Sequence, residues 1–242
     1  MRIGVISDIH GNLEALEAVV AVLRDKGATQ FVCCGDIVGY GSDPNLCVEA
    51  IRRMRCTCVA GNHDYGAIGK VPIDAFNSVA AQALLWTRSR LTESNRLFLE
   101  KLPLTAEEGP LFVVHSSPSA PAAWEYVLNL RAADREMEHY ASGVCMVGHS
   151  HQPFAAERQP GRPARIVRED AFKVLAKARY FINAGSVGQP RDCDPRACCL
   201  MYDEAVQEVT YLRVAYDIAA VQAKIRAAGL AEYLASRLES GR

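Results

Sequence analysis

Short apolar runs alternate with segments of helical period along the first half of the chain. Residues 2–7 read as a strand. Asn12 then stands where it can cap a helix with Leu13, Leu16, Val20 and Leu23 on one face, and Gly27 follows its end. Residues 31–34 form the next apolar run. Asp43 reads as a cap and Pro44 as the first turn of a helix with Cys47, Ala50, Ile51 and Met54 in its stripe. Residues 56–60 give a third strand. Phe76, Val79, Ala80, Ala83 and Leu84 mark another helix, and Thr92 caps one running toward Lys101. This alternation predicts an α/β fold with parallel strands and helical crossovers.

The second half is richer in strands, at 111–114, 144–147, 154–157, 165–167, 179–182, 199–202 and 206–212. Short turns separate the last three, which predicts an antiparallel element added to the sheet. A helix over 218–228 and another after Gly229 close the chain. With no repeat, low-complexity tract or long linker, residues 1–242 read as one domain.

Composition narrows the function classes. Twenty-seven Lys plus Arg against 28 Asp plus Glu leave a net charge of −1, which argues against bulk polyanion binding. No apolar run approaches the roughly eighteen residues of a membrane span, and Met1-Arg2 leads straight into a strand. A cytoplasmic protein without a membrane partner is expected; an oligomer is left open. Of nine cysteines, Cys33, Cys34, Cys56, Cys58, Cys145, Cys198 and Cys199 lie in or beside apolar runs without zinc-knuckle spacing. They read as small buried hydrophobes.

The histidines carry the chemistry. Five of the six follow apolar runs and sit beside Gly, Asp or Asn, in Asp8-Ile9-His10-Gly11, Gly61-Asn62-His63-Asp64, His115 and Gly148-His149-Ser150-His151. Gly35-Asp36 ends another run in the same way. The carboxyl ends of strands form the ligand-binding edge of open α/β sheets. Five strand ends thus bring Asp8, His10, Asp36, Asn62, His115, His149 and His151 to one place. In extended backbone i and i+2 point the same way, so Asp8 with His10, and His149 with His151, are expected to grip a cation as pincers. Carboxylate, imidazole and amide donors without thiolate suit Mn, Fe, Co, Ni or Zn. Seven donors exceed one tetrahedral site and fit two divalent ions sharing a carboxylate, a centre that favours an anionic substrate such as a small phosphate ester. One Asp-x-His triplet would mean little; the ordered set after successive strands means much.

These blocks resemble the signature motifs of the calcineurin-like metallophosphoesterases, and the stretch from Asn183 to Arg191 resembles a loop of the family's bacterial and archaeal branch. The resemblance implies a four-layer sandwich of two mixed sheets packed face to face with helices outside. It implies that Asp8, His10 and His151 hold one metal, that Asn62, His115 and His149 hold the other, and that Asp36 bridges. A hydroxide between the metals would attack phosphorus in line. His63 would protonate the leaving oxygen, with Asp64 orienting its imidazole.

One departure narrows the subclass. Tyr40 stands where Ser/Thr phosphatases and symmetrical dinucleoside tetraphosphatases of the family carry an Arg, and Tyr is no bidentate phosphate clamp. Arg191 is the candidate replacement, so Tyr40, Asn62 and Arg191 are expected to contact substrate. Two alternatives compete: a non-catalytic scaffold of the same fold, disfavoured by the complete donor set, and a nuclease. The basic stretch 157–179, with seven Arg or Lys against three acids, reads as a solvated hairpin rather than a nucleic-acid surface.

Overall fold

The structure, a computed structural model, describes residues 1–242. Its first sheet starts from the expected parallel strands β1 (Arg2–Ile6), β2 (Gln30–Cys33) and β3 (Thr57–Cys58), joined by helices α1 (Leu13–Asp25) and α2 (Pro44–Met54). The antiparallel strands β9 (Ala171–Lys173), β11 (Ala197–Asp203) and β12 (Glu208–Val214) complete it in the order β3-β2-β1-β11-β12-β9. The second sheet runs β4 (Thr105–Glu108), β5 (Leu111–Val114), β6 (Val144–Val147), β10 (Arg179–Asn183), β7 (Phe154–Arg158), β8 (Arg165–Val167). The remaining helices are α3 (Asn62–Ile68), α4 (Ser78–Arg90), α5 (Glu93–Glu100), α6 (Leu130–Glu136), α7 (Ile218–Ala227) and α8 (Glu232–Ser236).

Side-chain alternation makes this a helix–sheet–sheet–helix sandwich, the architecture that the resemblance implied. Ile3 and Val5 of β1 meet Val113, Met146 and Ile182 of the other sheet in the central core, whereas Ile6 turns outward beneath α1 and α2. Phe181 and Cys145 likewise face α6 on the far side. β1, β6 and β10 are buried on both faces, hence their unbroken apolar runs. A fourth cluster joins α7 and α8 to α4 and Tyr40.

Several expectations need correction. The third strand stops at Cys58, because the Ala60 amide donates to the Pro103 carbonyl instead of continuing a ladder. Strand 179–182 does not join the C-terminal hairpin; as β10 it pairs with β6 and β7 in the other sheet. The hairpin is β11–β12 alone. In α1 it is Val19, not Val20, that is buried. Asn12 does cap α1, its Oδ1 accepting the Ala15 amide at 3.1 Å. Asp43 makes no side-chain cap; its Oδ2 accepts from Lys224 Nζ at 3.0 Å, tying α2 to α7. In the basic stretch, Arg158 pairs with Asp134 and Glu138, Arg165 with Glu157 and Lys173 with Glu208. No helix is long and apolar enough to cross a membrane.

Candidate metal centre

All seven donors lie just past the carboxyl ends of β1, β2, β3, β5 and β6, and both sheets contribute. Asp8, His10, Asp36 and Asn62 come from the first sheet, His115, His149 and His151 from the second. The backbone there is not extended, yet Asp8 and His10 still converge on one cluster with His151, whereas His149 parts from His151 and turns to the other. Asp8, His10, Asp36, His149 and His151 all have positive φ, between 49° and 67°. Non-glycine residues in this left-handed region are uncommon and cluster at functional sites. The neighbouring glycines leave room for the crowding: a Cβ on Gly61 would strike Asp36 Oδ1, and one on Gly148 would strike Ser7 and Asp8. Surrounding bonds lock the loops. The His149 amide donates to both Asp8 oxygens, at 3.1 and 3.0 Å, and the Ser7 hydroxyl to Asp8 Oδ2 at 2.6 Å.

Backbone carbonyls fix the imidazoles. Nδ1 of His10 bonds Val38 O at 3.1 Å, Nδ1 of His115 bonds Cys34 O at 2.8 Å, and Nδ1 of His151 bonds Gln189 O at 2.6 Å. Each Nδ1 therefore carries a proton and each Nε2 faces the site, the usual orientation of metal-binding histidines. His149 is turned over: its Nε2 bonds Trp124 O at 2.8 Å, which leaves Nδ1 free.

The free atoms converge. His10 Nε2 and His151 Nε2 face each other at 3.0 Å, and Asp8 Oδ1 lies 3.2 Å from His151 Nε2. Asp36 Oδ2 sits between the two groups, 3.6 Å from His10 Nε2 and 3.3 Å from His115 Nε2. Asp8, His10 and His151 form one cluster able to hold a cation, and Asp36, His115 and His149 another; His63 with His10 and Asp36 is a third combination. Asn62 Oδ1 and His115 Nε2 are buried without a hydrogen-bond partner. The facing Nε2 atoms of His10 and His151 and the orphaned Asn62 Oδ1 lie unfavourably in a buried site unless positive charge lies among them, so the donor set fits divalent metal.

The electrostatics agree. Burial pushes His10 and His151 below the ordinary imidazole value, His149 to about 3 and His63 to about 4, leaving them neutral near pH 7. Burial would raise the Asp8 and Asp36 carboxyls, but His151 beside Asp8 and His115 beside Asp36 pull both below the usual range. His115 goes the other way: despite burial, the Asp36 carboxylate lifts it to about 10. Without metal, the Asp36–His115 pair thus holds a proton where a cation would sit.

Asp64 requires a correction. Its carboxylate accepts from the backbone amides of Gly61, Asp36, Ile37 and Val38 at 2.9–3.2 Å, and makes no bond to His63. It staples the β2 and β3 loops together. Burial, with Asp36 nearby, raises it to about 7. His63 is held by packing instead, between Tyr40 at 4.4 Å, His10 at 4.8 Å and Phe76 at 5.2 Å, and its Nδ1 has no partner. Tyr40 is buried against His10 and His63, with the Arg191 guanidinium 5.9 Å from its ring centroid. Arg191 Nη2 donates to Gln189 Oε1 at 3.1 Å, while its Nε is buried without a partner.

Two features left no mark in the sequence. The carbonyls of Gln189, Trp124 and Val38 that fix the histidines are invisible because any residue supplies a carbonyl. Gly61 opens a helix, α3, that carries Asn62, His63 and Asp64 in its first turn, which the reading of a strand end did not foresee. Phe76, Trp124 and Tyr126 line a cleft of about 240 Å³ beside Asn62, His63 and His149. A wider groove of about 360 Å³ lies elsewhere, touches none of the donors, and has Arg196 and Arg213 already paired with Asp194 and Asp192.

Comparison with known proteins is consistent with this geometry. Residues 1–205 match the family model of the calcineurin-like phosphoesterase superfamily domain. The chain is 41% identical to an uncharacterised protein of Methanocaldococcus jannaschii, over 99% of this chain and 98% of that one. It is also similar to the crystal structure of a metallophosphoesterase from Sphaerobacter thermophilus, with 41% identity, a TM-score of 0.86, and 100% of this chain and 99% of that chain covered. A hypothetical protein from Pyrococcus horikoshii shares the fold at 20% identity, with a TM-score of 0.82 over 100% of this chain and 98% of its own. The chain belongs to the calcineurin-like phosphoesterase superfamily.

Proposed function

We propose that the protein is a two-metal phosphoester hydrolase acting on small phosphomonoesters or phosphodiesters. In this reading Asp8, His10 and His151 hold one divalent ion, Asn62, His115 and His149 hold the second, and Asp36 bridges them; Mn, Fe, Co, Ni and Zn all suit the donors. The observation that carries it is the convergence of lone pairs, with two imidazole Nε2 atoms 3.0 Å apart and Asp36 Oδ2 within 3.6 Å of one and 3.3 Å of a third. Bound metals would supply an activated water as nucleophile and neutralise charge growing on the phosphoryl oxygens.

The rest falls to the chain itself. Asn62 and the half-buried Arg191 flank the centre and are the groups that would grip phosphoryl oxygens. His63 protonates the leaving oxygen. Its depressed pKa, about 4, makes it a strong acid once protonated, and the negative charge of a bound ester raises the protonated fraction. Tyr40 walls the site and fixes His63 by packing. Three of the seven cations of 157–179, Arg158, Arg165 and Lys173, are taken up in ion pairs, which favours a small ester over a polynucleotide.

The test strips the protein of metal, restores Mn, Ni, Co, Zn or Mg singly, and assays a monoester, a diester, cyclic nucleotides and a phosphopeptide. Asp36→Asn should lose metal and rate together, whereas His63→Gln should keep metal and lose roughly 10²–10⁴-fold in rate. Hydrolysis of none of these esters by metal-loaded protein would reject the proposal.

A further inference from the structure

Beside the metal centre, Phe76, Asn77, Trp124 and Tyr126 form a wall that supplies neither a metal donor side chain nor the leaving-group proton. The cleft of about 240 Å³ opens beside His63 and His149, and not one of its twelve lining residues is Lys, Arg, Asp or Glu. Four are aromatic. Tyr126 lies flat on the His149 ring, centroids 4.0 Å and planes 12° apart, yet is 53% exposed, so its outer face is bare. Trp124 is held with φ at 56° while its carbonyl accepts from His149 Nε2, so a candidate metal ligand fixes where it sits. Phe76 meets His63 edge-on at 71°. At the rim, Asn77 Oδ1 is taken by the Ala80 amide that begins α4, which leaves its Nδ2 as a donor.

We propose that this cleft seats the leaving group of the ester and selects a nucleoside. The inference rests on the phosphoester reading and names the substrate class for the same site. A charged leaving group, as in a polyphosphate or phosphopeptide, would meet no countercharge here. A plain alkyl alcohol would leave the ring faces uncovered. A nucleobase is flat and uncharged, stacks on aromatic side chains, and offers an acceptor edge to Asn77 Nδ2. The volume is small beside the roughly 300–1,000 Å³ of drug-sized sites, room for one base with its sugar and not for a peptide. Because His63 borders the cleft, the sugar oxygen of a seated nucleoside comes to the proton donor. Hydrolysis then balances simply: water oxygen bonds phosphorus, the ester P–O bond breaks with its electron pair on the sugar oxygen, and His63 protonates that oxygen. One proton of the attacking water restores His63, and the other stays on the phosphate product.

The test uses the full chain and esters that share a primary sugar 5′-oxygen as leaving atom and differ in the base: adenosine 5′-phosphate against ribose 5-phosphate, and their methyl diesters. With restored metal, kcat/KM should be at least about tenfold higher for the base-bearing partner. Tyr126→Ala should bring that ratio near one, and Tyr126→Phe should keep it. Binding is read without catalysis: in a Trp86→Phe background, where Trp124 is the remaining indole, adenosine should quench the fluorescence of metal-free protein. Absence of quenching overturns the proposal, as does hydrolysis with no preference for the base. Quenching without hydrolysis on any metal supports the nucleoside cleft and rejects the phosphoesterase reading instead.

Discussion

At Asp8, His10, Asp36, His149 and His151 the identity of the donor was legible and its backbone was not. Residue type and position after an apolar run sufficed to gather the seven candidates. Asp8 and His10 share one cluster as expected but His149 and His151 part, because the strands end at Ile6 and Val147, before the donors begin, and the loops beyond turn left-handed under tertiary restraint. Asp64 is a similar lesson: its place after Asn62-His63 suggested a partner for imidazole, but four nearby amides needed an acceptor more. Asp64→Ala should therefore cost about 3–5 kcal/mol in denaturant unfolding, the scale of removing a buried, multiply bonded partner. A nearly unchanged stability with a shifted pH–rate profile would restore the orienting role. The Asp36–His115 pair makes a second prediction. His115 is raised to about 10, above its ordinary value near 6.5, so its charged form stabilises the metal-free fold fully below pH 6.5 and that contribution fades as pH climbs through about 10. Metal uptake at pH 7 should accordingly release about one proton, read by calorimetry in buffers of different ionisation enthalpy. His115→Asn should abolish both the release and this part of the pH dependence.

Elements with a repeating pattern were easier to read than those defined by partners. The helices α1, α2, α4, α5 and α7 follow from their apolar stripes and flanking caps, and Thr92 caps α5 as expected. The strand at 179–182 was recognisable, but its sheet was not: an apolar run buried on both faces gives no sign of which neighbours it pairs with. The short β4 and β9 were missed for the opposite reason, being half-polar edge strands with little pattern to detect. The C-terminal helices, beyond the 1–205 family match, form the back of the site wall by packing Val221, Ile225, Leu234 and Leu238 against Tyr40, Ala80 and Ala83. Ile225→Ala or Leu234→Ala should cost about 2–5 kcal/mol by cavity creation. Tyr40 then loses its backing, so activity should fall by more than the unfolded fraction explains, measured as kcat at a temperature where the variant is still folded. An unchanged kcat would separate these helices from the site.

Across the whole molecule, the centre lies on the seam between the two sheets. Four donors ride on the sheet that contains β1 and three on the sheet that contains β5 and β6, so a bound ion would clamp one sheet to the other. Neither sheet can assemble the site alone. Binding to the folded state alone adds about 2.7 kcal/mol at a metal concentration 100 times Kd, so the thermal midpoint should rise with divalent ion and fall back with a chelator. The sandwich was foreseeable from the alternation of strands and helices together with the motif blocks; the division of donors between sheets depended on pairings that no local pattern encodes. The most direct measurement is a crystal of the Mn-loaded protein with anomalous scattering recorded. The account predicts two peaks roughly 3.5–4 Å apart with Asp36 between them, Asp8, His10 and His151 around one and Asn62, His115 and His149 around the other. A single peak, or none, at saturating Mn would contradict it.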